Sequence, residues 1–184
     1  MADVGVMERT AEPARLRPLA REDAPRIQAI LSQEAVTTML AVVPWPYPED
    51  GGATFVAEHV PASPTYALVC AITDANADDE QFRGLVTLRA TEGVLRLGYY
   101  LDPAVWGRGF ATSACRQAIA EGFRRHPATP VEAGVFDDNP GSVRVLEKLG
   151  FARVEGELEE CVAKARGVGS RLYRMTPEAW RAAQ

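Results

Sequence analysis

Two glycines, Gly107 and Gly109, stand where a strand-like segment gives way to a helix-like one. The apolar run from Val94 to Leu101 has the length of a strand, and Asp102-Pro103 turns the chain after it. The start of a helix presents unpaired backbone N–H groups and the positive end of the helix dipole. Glycines let a ligand approach that backbone closely. The stretch therefore predicts a cradle for an anionic group such as a diphosphate.

A second pattern, Asn139-Pro140-Gly141-Ser142, begins another predicted helix. Asparagine is a favoured N-cap and proline is favoured at the first helical position, so capping alone can account for Asn139. Ser142 falls in the first helical turn, where its hydroxyl is either solvated or available to a ligand. Gly150 supplies a stop at the C-terminal end of this helix.

Hydrophobic periodicity predicts the elements that must bring these two loops together. Strands are predicted at residues 15–19, 66–72, 82–89, 94–101, 130–136, 151–154 and 170–175. Helices are predicted at residues 22–33, 36–43, 49–60 and 140–149, after the glycine loop, and from residue 176. Residues 1–13 are expected to form a flexible tail, and residues 14–184 one α/β (α+β) domain. Antiparallel strands dominate its first half, α-crossovers follow residue 101, and a long loop separates the last two strands.

The composition argues against several classes of function. A net charge of −5 disfavours a general nucleic-acid binder. Cys70, Cys115 and Cys161 are widely spaced, and the two histidines are far apart, so neither a metal site nor a disulfide framework is expected. No stretch approaches the ~18 apolar residues of a membrane span. We expect a soluble, cytoplasmic protein with neither a membrane nor a nucleic-acid partner.

Three segments together resemble the GNAT superfamily of N-acetyltransferases. They are LGYYLDPAVWGRGFATSA at residues 97–114, EAGVFDDNPGSVRVLEKLGF at residues 132–151, and the looser PWPYPED at residues 44–50. Within the superfamily they are similar to the branch that acetylates N-terminal residues of ribosomal proteins. A lone GxG is weak evidence, but two long segments separated by one helix and one strand are specific. The resemblance covers residues 14–180 and implies a mixed central sheet, a splayed parallel pair after the fourth strand, and helices on both faces.

The resemblance also implies that coenzyme A binds at the glycine loop, with the amides of residues 107–112 around its diphosphate. Arg108 would add a positive charge there, because Trp106 occupies a position where the superfamily pattern has Arg or Gln. Backbone groups of the preceding strand would meet pantetheine and the acetyl group, and an amide of Tyr99 or Tyr100 would stabilise the oxyanion of the tetrahedral intermediate. The implied cofactor-binding residues are Tyr99, Tyr100, Leu101, Trp106, Gly107, Arg108, Gly109, Phe110, Ala111, Thr112 and Asn139.

The same resemblance assigns Ser142 the role of the general acid that protonates the departing thiolate. A thiol of pKa ~8.5 is a tolerable leaving group, so this proton should help the reaction modestly. The general base is open, because many relatives carry Glu where this chain has Arg96, two residues before the Gly-Tyr of the strand. Other carboxylates, each better explained as a solvated surface charge, are Glu92, Glu132, Glu155, Glu157, Glu159 and Glu160.

The missing base bears on the choice of acceptor. Making a lysine amine neutral at pH 7 costs ~4.6 kcal/mol, whereas an α-amine costs only ~1–1.4 kcal/mol. We therefore expect an α-amine acceptor at a peptide or protein N-terminus. The proline-rich turn that contains Trp45 and Tyr47 would lie over the acceptor groove, where aromatic faces suit cationic amines, or would plug the end of the core.

The leading hypothesis is therefore an acyltransferase that uses acetyl-CoA and an amine acceptor in one ternary complex. No cysteine falls in either long motif, which disfavours a covalent acetyl-enzyme. Two alternatives are open: acetylation of a small amine such as an antibiotic, polyamine or metabolite, and a non-catalytic acyl-CoA-binding regulatory module. No metal is expected, and a homodimer is compatible with the sequence.

Overall fold

The computed structural model describes residues 12–60, 66–156 and 167–183, which form a seven-stranded sheet with helices on both faces. Its strands are β1 (Ala14–Pro18), β2 (Tyr66–Asp74), β3 (Gly84–Thr91), β4 (Val94–Leu101), β5 (Val131–Phe136), β6 (Ala152–Val154) and β7 (Ser170–Met175). Its helices are α1 (Ala24–Leu31), α2 (Glu34–Thr37), α3 (Gly51–His59), α4 (Phe110–Arg125), α5 (Pro140–Leu149) and α6 (Pro177–Ala182).

The strands lie in the order β1-β2-β3-β4-β5-β7-β6. Neighbours from β1 to β4 are antiparallel, β4 and β5 are parallel, and β7 runs antiparallel to both β5 and β6. Helix α4 connects β4 to β5, because two parallel neighbours require a crossover that returns the chain to the same end of the sheet. The predicted mixed sheet, with its parallel pair after the fourth strand, is confirmed.

One face of the sheet packs against α4 and α5. Side chains alternate along β4, so Leu95 and Leu97 point into this core. Ala114 and Ile119 of α4 and Leu146 of α5 meet them there, and all three are fully buried. This core fixes both long motifs, since α4 follows the glycine loop and α5 follows Asn139.

The opposite face of the sheet is covered by α1, α2 and α3 at its β2–β3 end. Ile27 and Ile30 of α1 and Val56 of α3 pack there against Leu85 of β3 and the adjacent Phe82. None of the described residues of β5 or β7 belongs to this second core. Among the described residues, the helices of this second core therefore do not pack on the side of β5 and β7 that faces away from α4 and α5.

The main departures from the predicted elements lie in the helices before β2. The helix predicted at residues 22–33 divides into a 3-10 turn at Arg21–Asp23 and helix α1, and that predicted at 36–43 ends at Thr37. Tight turns follow, because Met39 and Leu40 bond to carbonyl groups three residues earlier.

Some predictions fall on chain segments beyond the described ranges. The tail predicted at residues 1–13 lies outside them except for its last two residues, and Glu12 pairs with Arg116 at 3.1 Å. Most of the long loop predicted before β7 lies outside them too. No helix in the described ranges is both long enough and apolar enough to cross a membrane.

Candidate active site

Strands β4 and β5 separate soon after they meet. Within the described residues, Leu95 pairs with Val131 and Arg96 with Glu132, and the ladder between these strands ends there. Strand β4 continues for five more residues, paired on its other side with β3. The carboxyl half of β4 therefore has one open backbone edge.

The direction of the backbone decides which amide faces this opening. The N–H of Leu95 donates to the carbonyl oxygen of Pro130, on the β5 side, at 2.9 Å. N–H groups alternate between the two edges of a strand, so the N–H of Tyr99 also points toward the β5 side. The N–H of Tyr100 points toward β3. Of the two amides predicted to stabilise an oxyanion, Tyr99 is the one that faces the gap.

The glycine loop and the first turn of α4 lie beside this gap. Gly107 and Gly109 adopt φ angles of 73° and 82°, which L side chains rarely occupy. The N–H of Ser113 bonds to the carbonyl of Gly109, but the described chain offers no backbone acceptor to the amides of residues 110–112. These amides form the positive end of a 16-residue helix. An anionic diphosphate fits such a cradle.

A cavity of 530 Å³, which we call the loop cavity, lies between this loop, β4 and the start of α5. The predicted residues that line it are Tyr99, Tyr100, Leu101, Trp106, Gly107, Gly109, Phe110, Ala111, Thr112, Asn139 and Ser142. Arg108 does not line the cavity. Its guanidinium lies 3.6 Å from Asp74 and 5.3 Å from the centre of the Phe110 ring.

Trp106 fixes the loop to the end of β4. Its indole N–H donates to the carbonyl oxygen of Leu101 at 3.1 Å, on the edge of β4 that no longer pairs with β5. The ring remains 49% exposed, so one face is available to a ligand in the loop cavity. Asp102 supports the same turn by accepting from the Ala104 N–H at 3.0 Å and by pairing with Arg26 at 2.5 Å.

The first turn of α5 meets β4 through a pair of hydroxyl groups. Asn139 caps the helix, since its Oδ1 accepts from the Ser142 N–H at 3.0 Å. The Ser142 Oγ lies 2.8 Å from the Tyr99 hydroxyl. Burial raises the pKa of the Tyr99 phenol well above its ordinary value, so the phenol keeps its proton. Tyr99 can therefore donate to Ser142, which leaves the Ser142 proton for a group in the cavity.

A second cavity, which we call the cleft, has a volume of 1070 Å³ and lies on the open side of β4, β5 and β7. The loop cavity and the cleft share lining residues, among them Tyr99, Tyr100, Asn139 and Ser142. Burial raises the pKa of the Tyr100 phenol, and its oxygen has no hydrogen-bond partner in the described chain. Two ligands, one in each cavity, would therefore meet beside the Tyr99 amide.

A row of four charged residues crosses the floor of the cleft. Arg89 of β3 is opposite Arg96 of β4, Arg96 is opposite Glu132 of β5, and Glu132 is opposite Arg174 of β7. Glu132 Oε2 lies 2.8 Å from Arg96 Nη1, and Glu132 Oε1 accepts from Arg174 Nε at 2.7 Å. The Glu132 side chain is only 2% exposed. We call these four residues the charged row.

The carboxylates suggested as general bases do not lie free beside Tyr99. Both oxygens of Glu132 contact guanidinium groups, so Glu132 is not a free carboxylate. Glu92 is exposed at the turn between β3 and β4, at the far end of the cleft, and Glu155 is exposed after β6. Glu157, Glu159 and Glu160 lie outside the described residues.

The proline-rich turn contributes one aromatic residue to the cleft. Tyr47 lines it and is partly buried, and burial raises the pKa of its phenol. Trp45 is 42% exposed and lines neither the cleft nor the loop cavity. The structure therefore places Tyr47, but not Trp45, near the predicted acceptor groove.

Several residues that line these cavities were not predicted from the sequence. Arg144 and Lys148 of α5 line the loop cavity, and their spacing of four residues on a helix that starts at Pro140 was a usable signal. Met39 and Leu40 line both cavities, but they lie in turns where the sequence predicted a helix. Within the described ranges, no group of His, Cys, Asp and Glu side chains could hold a metal ion.

Comparison with known proteins identifies one family. Residues 14–152 match the family model described as "Acetyltransferase (GNAT) domain". A segment of 79 residues is 40% identical to the "Probable N-acetyltransferase YjcK" of Bacillus subtilis, and a segment of 75 residues is 36% identical to the "Uncharacterized N-acetyltransferase p20" of Bacillus licheniformis. The first segment covers 41% of this chain and 44% of YjcK, the second 41% of each protein. The chain thus spans less than half the length of these curated relatives.

Solved structures share the fold at lower identity. The spermidine N-acetyltransferase of Vibrio cholerae, in complex with CoA and spermine, has a TM-score of 0.75 and 21% identity, with 91% of this chain and 98% of that chain covered. A GNAT-family acetyltransferase from Bacillus anthracis has a TM-score of 0.74 and 19% identity, with 91% and 96% covered. At these identities the likeness shows a common fold.

Proposed function

Because the chain belongs to the GNAT acetyltransferase family, whose members use acetyl-CoA as co-substrate, we propose that it acetylates the α-amine at the N-terminus of a peptide or protein. The likeness to the ribosomal-protein branch suggests this acceptor. The observation that carries the proposal is that the loop cavity and the cleft meet at Tyr99 and Ser142. Positioning two reactants in one complex is itself a large part of such catalysis.

The loop cavity fits acetyl-CoA. The unpaired amides of residues 110–112 and the left-handed Gly107 and Gly109 would hold the diphosphate. Arg144 and Lys148 add positive charge along the same cavity, where they suit the remaining phosphate of the cofactor. When bound there, acetyl-CoA supplies an acetyl group activated as a thioester.

The Tyr99 amide supplies the electrostatic part of catalysis in this proposal. Its N–H faces the gap beyond the last pair of β4 with β5, where an acyl oxygen could lie. Removing one such donor typically costs ~3–4 kcal/mol of transition-state stabilisation. The amide belongs to a strand that β3 holds along its whole length, so it is fixed before a ligand arrives.

Ser142 supplies the proton for the departing thiolate. Its Oγ lies 2.8 Å from the Tyr99 hydroxyl, and if Tyr99 donates in this contact, the Ser142 proton is directed toward the cavity. A relay of two hydroxyl groups suits this role because neither must ionise permanently. Since the thiolate is a tolerable leaving group, the gain is modest.

The charged row favours an amine of low pKa. Glu132 is occupied by Arg96 and Arg174, and in the described chain no unpaired carboxylate lies beside Tyr99. An α-amine is partly neutral at pH 7, so water can take its proton after attack. A lysine amine would need a stronger base in the site.

A polyamine is the second candidate acceptor, because solved structures with this fold include a spermidine N-acetyltransferase with spermine bound. Acidic side chains on one wall of the cleft, Asp50 and Glu58, could attract such a cation. The three arginines of the charged row would repel it from the floor. The two acceptors therefore make opposite demands on the same cleft.

Thiol release from acetyl-CoA at pH 7 tests the proposal. Three acceptors are compared at equal concentration: a lysine-free peptide that begins with Ala, an N-terminally blocked peptide with one Lys, and spermidine. We expect release with the α-amine peptide above the other two. Faster release with spermidine would support the second candidate, and tight CoA binding without release from any amine would indicate a regulatory module.

A further inference from the structure

The charged row is an unusual feature for the floor of a cleft that receives an amine. Three guanidinium groups and one carboxylate stand side by side on four adjacent strands, on the face that α4 and α5 do not cover. Residues directly opposite each other in neighbouring strands present their side chains on the same face. The row is therefore a continuous band of charge in which positive groups outnumber negative ones.

The carboxylate in the row does not neutralise the band. Glu132 is buried, whereas the side chains of Arg96 and Arg174 are 31% and 45% exposed. Each arginine has five N–H donors. In the described chain Arg96 pairs with Glu132 through Nη1, and Arg174 binds it through Nε and Nη2. Both guanidinium groups therefore keep donors for a ligand in the cleft, and Glu132 fixes their orientation.

Arg96 and Arg174 both line the cleft, so an anion bound there would be attracted by both. Guanidinium groups bind carboxylate and phosphate through paired hydrogen bonds, which makes them selective for such groups.

The position of the row sets the distance to the reacting amine. Arg96 precedes Tyr99 by three residues, which is about 10 Å along a strand that rises about 3.3 Å per residue. An extended peptide covers a similar distance in about three residues. An acceptor whose amine lies at Tyr99 could thus place a side chain of its third residue over the row.

We propose that the charged row binds a carboxylate of the acceptor, so that the enzyme selects N-terminal peptides with an acidic residue at about the third position. The inference rests on the proposed function, because it assumes an amine that enters the cleft toward Tyr99. Arg96 and Arg174 bind the acceptor carboxylate, and Glu132 is a positioning residue that acts through them. Of the other carboxylates that line the cleft, Asp50 and Glu58 lie at helix α3, and Glu92 lies at the turn between β3 and β4.

Calorimetry with the full chain saturated with CoA tests the selection without requiring turnover. The probes are the amidated peptides Ala-Ala-Glu-Ala and Ala-Ala-Gln-Ala, the same peptide with phosphoserine at the third position, and spermine. We expect the Glu peptide to bind about 10-fold more tightly than the Gln peptide, as for a charge-assisted contact. Tighter binding of the phosphoserine peptide would reassign the anion as phosphate, whereas tighter binding of spermine would overturn the proposal.

Variants of the charged row then test which side chains cause the preference for the Glu peptide. Arg96→Gln and Arg174→Gln should each reduce the Glu-over-Gln ratio toward 1, and Arg96→Lys should retain part of it. Arg171→Gln is the matched control, because Arg171 lies on the same strand and pairs with Asp137 at 2.6 Å but does not line the cleft. Thermal melting checks that each variant is folded.

Other results would also contradict the proposal. Equal affinity for the Glu and Gln peptides, or no binding of either, would overturn it, as would a preference that survives both arginine changes. Failure of the proposed function would look different, since thiol release would be absent with every amine while the affinity ratio could still be measured.

Discussion

The hydroxyl groups of Tyr99 and Ser142 lie 2.8 Å apart and join strand β4 to the first turn of helix α5. The contact spans the place where β4 and β5 have separated, and both residues line the loop cavity as well as the cleft. The same Tyr99 turns its amide toward the opening. In the proposed function, one residue thus offers an N–H for the acyl oxygen and contacts the hydroxyl that donates to the leaving sulfur.

Replacing Gly109 should weaken acetyl-CoA binding. Gly109 has a φ of 82°, so Gly109→Val would force the loop out of the left-handed conformation and move the amides behind it. Gly93→Val is the matched control, since Gly93 has a φ of 74° but lies at the β3–β4 turn, away from the loop cavity. Calorimetry should show at least about a 10-fold loss for the first variant only. Unchanged affinity in Gly109→Val would refute the assignment of the loop.

Removing the hydroxyl pair should slow the chemical step without weakening the binding of acetyl-CoA. Ser142→Ala should lower kcat about 10-fold, and Tyr99→Phe should act in the same direction but less, because Ser142 keeps its proton. Steady-state kinetics should show an almost unchanged KM for acetyl-CoA. Ser113→Ala is the control, since this buried hydroxyl lies within 3.4 Å of the backbone of Ala14 and lines neither cavity. A kcat equal to that of the wild type in Ser142→Ala would exclude the proton-donor role.

Glu132→Gln separates a structural carboxylate from a catalytic one. The change leaves Arg96 and Arg174 without their buried counter-charge, and we expect a loss of about 1–3 kcal/mol in the free energy of unfolding. We expect the loss in the free energy of unfolding to lie at the lower end of this range, because both arginines are partly exposed to solvent. Thermal or urea unfolding measures it. With an acceptor that lacks an anionic group, kcat should fall less than 10-fold. A drop of about 100-fold or more in a folded variant would identify Glu132 as the general base.

Acid should weaken one ion-pair cluster on α4. Arg124 and Arg125 lower the pKa of Glu121 to about 2, because both donate to its carboxylate. A lowered pKa means that the ionised form stabilises the folded state above the unfolded pKa of ~4.3, and that this contribution is lost as pH falls toward 2. The Tm difference between the wild type and Glu121→Gln should therefore shrink between pH 6 and pH 2, and also in high salt. A difference that grows with acid would contradict this account.

Local sequence predicted the elements around the site well. Strand β4 has the predicted bounds, and so does α5, because a strand bounded by turn residues and a helix with an Asn-Pro start are specified by neighbouring residues. Most residues that line the loop cavity belong to the same two segments, whereas Ala35, Val36, Met39 and Leu40 come from a different part of the chain. The orientation of Arg108 did not follow, since Asp74, its ion-pair partner, lies 34 positions away in the chain.

The charged row was beyond sequence reasoning for a related reason. The sequence shows Arg96 as a cation in a place where relatives often have a carboxylate, but its partner Glu132 is 36 positions later and Arg174 a further 42. They meet because β7 inserts between β5 and β6, and periodicity carries no information on that strand order. The choice between the amides of Tyr99 and Tyr100 likewise required the observed bond from Leu95 to Pro130.

A crystal structure with a bisubstrate analogue, in which CoA is joined through an acetyl linker to the α-amine of a peptide, would show where the two substrates meet. We expect the diphosphate on the amides of residues 107–112, the acyl oxygen about 2.7–3.1 Å from the Tyr99 nitrogen, and the sulfur beside the Ser142 hydroxyl. The peptide should occupy the cleft. An analogue whose acyl oxygen binds another donor, or whose peptide leaves the cleft empty, would contradict the proposed function.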